Sequence, residues 1–210
     1  MPDNIRKFDI STTLDAEALL PLDTVRNHCV IEHNEDDDLL VRNRLAALTH
    51  IGHHTRRKIG MTVTAHGFKS WPSPIVITAN ALRGIAGISY QSDTDTNEIL
   101  PLTDVITDYT DDTVTLDLGT QNLPALSTRK PYPVRVDVIS GYGAVTTAIV
   151  SQSPVTAMFA KLPEDIEQAA LMLIGHYNEN REAVVTGTSA VELPQAVQTL
   201  LFPYLNYRAR

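Results

Sequence analysis

The stretch NEDDDLLVRNRLAALTHIGHHTRRKIGMTVTAHGF, residues 34–68, changes its period in the middle. Up to Gly60 it has helical spacing: Leu40, Ala47, Ile51 and Thr55 share a row, with Leu48 and Ile59 beside it. Asn34 or Asp36 can cap the start, and the acids from Glu35 to Asp38 complement the positive end of a helix. Arg56, Arg57 and Lys58 suit the negative end, and Gly60 is the expected stop. From Met61 the pattern becomes the short-period, β-branched run MTVTAHGF. A helix therefore gives way to a strand near Gly60.

Working outward, the segment before this switch reads as helical. LDTVRNHC is a short helix, with Pro21 in its first turn where a missing N–H does no harm. The segment after it, residues 61–150, holds further strand-like runs: PIVITA, IAGISY, DVITDY, TVTLDL and VRVDVISGY. Turn formers separate them at Trp71 to Pro74, Asp93 to Asn97, Asp111-Asp112, and Pro131 with Pro133. In TVTLDL, Val114, Leu116 and Leu118 fall on one face and Thr113, Thr115 and Asp117 on the other. This is the alternation of a sheet with one face on a core. Helical spacing then returns. Ile166, Ala169, Ala170, Leu173 and Tyr177 line one side of a helix from Pro163 to Arg181, roughly 28 Å long at ~1.5 Å per residue. A last helix begins near Pro194, carries Val197, Leu200 and Leu201 on its apolar side, and ends at Pro203.

The order helix–sheet–helix has a topological consequence. Neither helical piece has much apolar surface to spare alone, so the two pack together and the sheet becomes an insertion. The expected class is α+β: an antiparallel helical bundle of residues 1–60 and 151–210, with an inserted antiparallel β-sheet or small barrel domain at 61–150.

Composition narrows the function. The chain has 210 residues, 43% of them hydrophobic and 20% charged, enough to bury ~70% of its unfolded surface. Its formal net charge is −8. That balance argues against a free-standing binder of duplex DNA and against a peripheral anchor on anionic lipid. No apolar run reaches the ~18 residues of a membrane span, and MPDNIRKFDI has no apolar leader core. The one cysteine, Cys29, allows no intrachain disulfide and fits a reducing compartment. His28 and His33 flank it, but a small apolar core residue is the better reading than a nucleophile.

The other chemical candidates reduce similarly. His50 and His54 lie one helical turn apart, as two metal ligands would, with His53 between them. No Glu follows His50 in the H-E-x-x-H manner, and Arg56 and Arg57 would repel a cation. A small metal-dependent enzyme built on His50, His53 and His54 is the alternative this cluster raises; a soluble protein-binding module is another. Asp36 to Asp38 lack the remainder of a Ca²⁺ loop and read as acids of a helix start. Asp93, Asp95 and Glu98 read as a solvated hairpin loop. Ser140-Gly141-Tyr142-Gly143 is not a nucleophile elbow, because the serine precedes both glycines. It reads as a strand exit that needs a loose backbone. No phosphate-binding glycine loop is present, and no cofactor is expected.

The stretch PEDIEQAALMLIGHYNENREAVVTGTSAVELPQAVQTLLFPY, residues 163–204, resembles the C-terminal half of tailed-phage head–tail connector (adaptor, head-completion) proteins. The matching positions are Pro163, Ile166, Ala169, Tyr177, Glu179, Asn180, Arg181, Glu182, Leu193, Pro194, Val197, Leu200, Leu201, Pro203 and Tyr204. LDTVRNHCVIEHNEDDDLLVRNRLAAL is similar to the front half of that family, and the middle strands resemble its β insertion more loosely. The sequence departs where THIGHHTRRKIG replaces the family's usual helix end.

The resemblance implies a virion structural protein and no enzyme: a bacteriophage subunit made in the host cytoplasm and placed at the head–tail interface. It implies a ring of about twelve copies below the portal protein, a tail-side connector or tail-terminator protein on the other side, and DNA passing through the lumen without sequence-specific binding. No membrane is involved. On this basis Leu200, Leu201, Tyr204, Tyr207, Arg208 and Arg210 are expected to contact the portal. Arg42, Arg44, Glu179, Arg181 and Glu182 are expected to contact neighbours in the ring.

Overall fold

The computed structural model describes residues 5–79, 81–102, 105–110, 113–118, 123–143, 161–180 and 194–206. The fold is mixed, with antiparallel sheets and, among the described residues, five α-helices. The chain divides into two units, Met1–Thr13 with Gly60–Ala160 and Leu14–Ile59 with Lys161–Arg210.

The first unit carries eight strands among the described residues: β1 (Ile5–Thr13), β2 (Met61–Phe68), β3 (Ile75–Thr78), β4 (Leu82–Gln91), β5 (Asn97–Leu100), β6 (Ile106–Thr110), β7 (Thr113–Asp117) and β8 (Val134–Ser140). A five-stranded sheet runs β1-β2-β8-β4-β5, and a three-stranded sheet runs β3-β7-β6. Every pairing in both is antiparallel. The alternation in TVTLDL has its expected outcome. Val114, Leu116 and Leu118 are buried, while Thr113 and Thr115 are half-buried and Asp117 is exposed. They join Ile75, Ile77, Ile88, Val134, Val136 and Val138 in one core shared by the two sheets. Trp71 closes its edge, donating from Nε1 to the Pro124 carbonyl at 2.9 Å with its ring 5.5 Å from that of Tyr90.

Two strands differ from the sequence reading. Residues 5–13, taken with a helical first segment, form β1, which pairs with β2 from Ile5↔Phe68 to Thr13↔Met61. Ile, Phe and Thr in IRKFDISTT favour extended backbone, and the pairing that fixes it comes from a strand far along the chain. Part of the expected Asp93–Asn97 turn is β5, whose first residue is Asn97.

The second unit is helical: α1 (Ala16–Leu19), α2 (Leu22–Cys29), α3 (Asp37–Thr55), α4 (Glu164–Glu179) and α5 (Gln195–Leu201), followed by a 3-10 turn at Phe202–Tyr204. The expected stripe of α4 is realised, with Ile166, Ala169, Ala170 and Leu173 buried. Leu40, Ala47, Leu48 and Ile51 bury the matching stripe of α3. The helix α3 stops earlier than Gly60. Arg56 takes the left-handed conformation (φ 55°), and Arg57 N–H reaches back to the Gly52 carbonyl at 3.0 Å. Thr55 Oγ1 donates to the Ile51 carbonyl at 2.7 Å. These bonds satisfy the last carbonyls before glycine is reached. Gly60 instead bridges Tyr142 in the first unit.

The same stop ends α2, but on Val30 (φ 56°), with Ile31 N–H bonded to the Arg26 carbonyl at 3.0 Å. A β-branched residue at positive φ is a true outlier. Glycine there should raise stability by about 1 kcal/mol, read as a higher urea midpoint for Val30→Gly. Gly141 is the opposite case. Its φ is +97°, and a Cβ there would lie 2.2 Å from the Gly60 carbonyl oxygen. Gly141→Ala is expected to cost about 3 kcal/mol in urea unfolding. Gly87→Ala, with open space around the new atom, should stay within about 1 kcal/mol.

Candidate functional site

The helix α3 presents two opposite faces. At roughly 100° per residue, Leu40, Arg44, Leu48 and Thr55 fall on one side, and Arg42, Ala46, Thr49 and His53 on the other. The first side carries the contacts to α1 and α2. Arg44 Nη1 donates to the Leu20 carbonyl at 3.0 Å and pairs with Glu17. Arg26 Nε donates to Asp37 Oδ1 at 2.8 Å, and a second Arg26 nitrogen pairs with Oδ2, a two-pronged tie of α2 to the start of α3. The second side is an open groove of about 550 Å³, bordered by Arg42, Leu45, Ala46, Thr49, His53 and Tyr177. Leu45 is 48% exposed, a large apolar side chain left uncovered by its own chain. At the groove's inner edge a hydrogen bond of 2.9 Å joins His50 Nδ1 and the Tyr177 hydroxyl.

This geometry sorts the expected contact residues. Arg42 and Glu179 are exposed, as a ring contact requires. Arg44 is not: it is 5% exposed and spends its charge within the chain. Leu201 is fully buried beside Val197 on the inner side of α5, so its side chain serves the fold. Leu200 and Tyr204 are half-buried. The Arg57 guanidinium lies 5.9 Å from the Tyr204 ring centre and donates to its carbonyl, while the Tyr204 hydroxyl donates to Asp165 at 3.3 Å. Asn206 N–H is bonded to the Thr55 carbonyl at 3.0 Å, so the chain is held against the end of α3 through residue 206. Tyr207, Arg208, Arg210, Arg181 and Glu182 lie outside the described residues.

Two exposed apolar residues carry no signal in the sequence pattern. Phe202 is 65% exposed next to exposed Pro203, and Val30 is 82% exposed. A signal existed for Arg44 and Leu45. Arg44 falls in register with Leu40, Leu48 and Ile51, whereas Leu45 breaks that register.

The chemical candidates are engaged structurally. His50 is tied to Tyr177, and among the described residues no three His, Cys, Asp or Glu side chains are grouped to hold a metal ion. Burial, then the charge of Glu179, pushes the Cys29 thiol up, away from a reactive thiolate. Asp37 is held by Arg26. In the β4–β5 hairpin, Asp95 accepts from Ser127 and Arg129, and Glu98 accepts from Tyr90 at 2.6 Å. Asp95 and Glu98 are thus hydrogen-bonded within the chain rather than solely solvated.

Burial, and then the neighbouring His54 and His53, lowers His50 below the ordinary histidine value. A depressed folded-state pKa means the unfolded chain binds the proton more readily. Stability is therefore full above ~6.5 and declines as pH falls through that value toward the folded pKa. Thermal midpoints between about pH 8 and pH 5 should show this decline, and His50→Gln should flatten it.

No protein-family model matches the chain, and no curated protein matches it. Solved structures do. A chain in the neck of an empty gene transfer agent (GTA) particle, computed with C6 symmetry, is 15% identical with a TM-score of 0.61, covering 98% of this chain and 97% of that one. One in the virion of a native GTA particle is 17% identical with a TM-score of 0.61, covering 97% of each. One in the neck of a native GTA particle, computed with C12 symmetry, is 16% identical with a TM-score of 0.57, covering 98% and 97%. At this identity the likeness is one of fold, and it extends along nearly the whole chain.

Proposed function

We propose that the chain is a structural, non-enzymatic head–tail connector of a tailed bacteriophage or phage-like particle, assembling below the portal into a ring of about twelve copies. The observation that carries this is the end-to-end fold match to chains of GTA necks and virion. The C-terminal resemblance from Pro163 to Tyr204 supports it independently. A similar neck computed with twelve-fold symmetry supports the copy number, and one computed with six-fold symmetry is compatible with it. Among the described residues no helix is long and apolar enough to cross a membrane, in keeping with a virion component.

In this reading the expected bundle of 1–60 and 151–210 is trimmed to Leu14–Ile59 with Lys161–Arg210, and Met1–Thr13, Gly60 and residues 151–160 go with the inserted β domain. The portal is met by the C-terminal segment: Leu200 and Tyr204 with the exposed Phe202, then Tyr207, Arg208 and Arg210. A tail-side connector or terminator docks on the opposite end. About twelve chains of charge −8 carry on the order of −100 formal charges, screened over ~8 Å. An acidic lumen would let DNA slide without binding.

Electron microscopy of particles should show the chain as a ring between portal and tail; its absence there would refute the reading. Within it, Phe202→Ser should weaken portal docking about tenfold in pull-down, the scale of losing one aromatic anchor. Removing Tyr207 to Arg210 should also weaken docking while thermal unfolding is unchanged, because the hydrogen bond of Asn206 N–H to the end of α3 is kept.

A further inference from the structure

The loop between α2 and α3 combines two features that the fold does not explain. Val30 is 82% exposed and sits at φ 56°, where glycine or asparagine would relieve strain at no loss of packing. Behind it stand Glu32 and Glu35, both exposed, and among the described residues neither makes an ion pair. The loop thus presents an apolar tip followed by two uncommitted negative charges.

The groove on α3 is the complement. Leu45, Ala46, Thr49 and Tyr177 offer a largely apolar bed with room for an apolar side chain and its flanking backbone. Arg42 at its rim is exposed and unpaired among the described residues, and His53 is exposed nearby. Asp38 lies one turn before Arg42, and Glu179 acts on Cys29 of α2. The groove lies on the face of α3 turned away from the contacts to α1 and α2, and no side chain of the α2–α3 loop lines it. A second copy, displaced by a rotation, can place its loop there, and a contact of this head-to-tail kind closes a ring when the rotation divides a full turn.

We propose that the α2–α3 loop of one copy docks into the α3 groove of the next, with Val30 on Leu45, Ala46 and Tyr177 and with Glu32 and Glu35 facing Arg42. The partner is a second copy of this chain, and the contact is head-to-tail. This rests on the ring reading above and names its interface.

The test uses the full chain. In a Cys29→Ser background, Val30→Cys combined with Ala46→Cys should give, on mild oxidation, a ladder of linked chains; each single variant should give none. Arg42→Glu should weaken assembly about tenfold in sedimentation velocity, and adding Glu32→Arg and Glu35→Arg should restore it. Val30→Gly should assemble more weakly while unfolding at a higher urea concentration, a pairing that a purely structural role would not produce. Rings of normal affinity in Arg42→Glu, with no ladder from the double-cysteine chain, would overturn this interface and leave the ring reading standing. A wild-type chain that stays monomeric, and is absent as a ring from particle necks, would overturn both.

Discussion

The guanidinium of Arg44 is the constraint around which the helical unit is arranged. It offers only donors, and at 5% exposure it has little access to bulk water. Its partners must therefore come from the chain, and they come from Glu17 and the Leu20 carbonyl. Meeting that demand draws α1 and the following turn onto one face of α3. The Glu17 carboxyl is held below its ordinary range by the Arg44 hydrogen bond first and the Leu22 backbone second. The Arg26–Asp37 tie fixes α2 to the same side. With one face committed in this way, the opposite face, from Arg42 to His53, is left without a partner from α1 or α2.

The sheet unit depends on a different kind of constraint. Strand β8 lies between β2 and β4 and completes hydrogen bonding for both. All eight residues of β2 are buried, so that strand has no solvent face to reveal its register. Register must come from its neighbours, and one of them is β8, far away in sequence. Gly141 then lets the chain leave β8 at positive φ directly against Gly60, with Arg83 Nε donating to the Gly141 carbonyl at 2.9 Å. A side chain at that point would push apart the two segments that bound the sheet.

What the sequence disclosed follows from this division between local and distant causes. The stripes of α3 and α4 and the alternation of β7 are local, and the residues reading as core there are buried except Tyr177, which is half-buried at the groove. The start of α4 just after Pro163 is legible for the same reason, since the proline precedes three acids in one turn. Strands β1 and β5 were hidden because they are sheet edges. Their residues are mixed in polarity, and the bonds that extend them come from β2 and β4. The end of α3 was misplaced because glycine is the usual left-handed stop, whereas here arginine takes that role and its neighbour Arg57 is held by Tyr204. Among the site residues, Arg42 and Arg44 looked alike as charges. Only their angle on the helix separates an inward cation from an outward one.

Two helices in the helical unit end on a left-handed non-glycine residue, and they differ in what that residue gains. Arg56 opens the turn that lets Arg57 reach Tyr204, and so the strain is offset inside the chain. Val30 has no such return, because its side chain stands in solvent. A fold selected for stability alone would place glycine there. Strain that persists without an internal compensation points to a compensation outside the chain, made when an apolar tip on a rigid turn is buried by a partner. A tip already fixed in its bound geometry loses little entropy on docking. The same strain that weakens the free subunit would therefore strengthen an assembled ring.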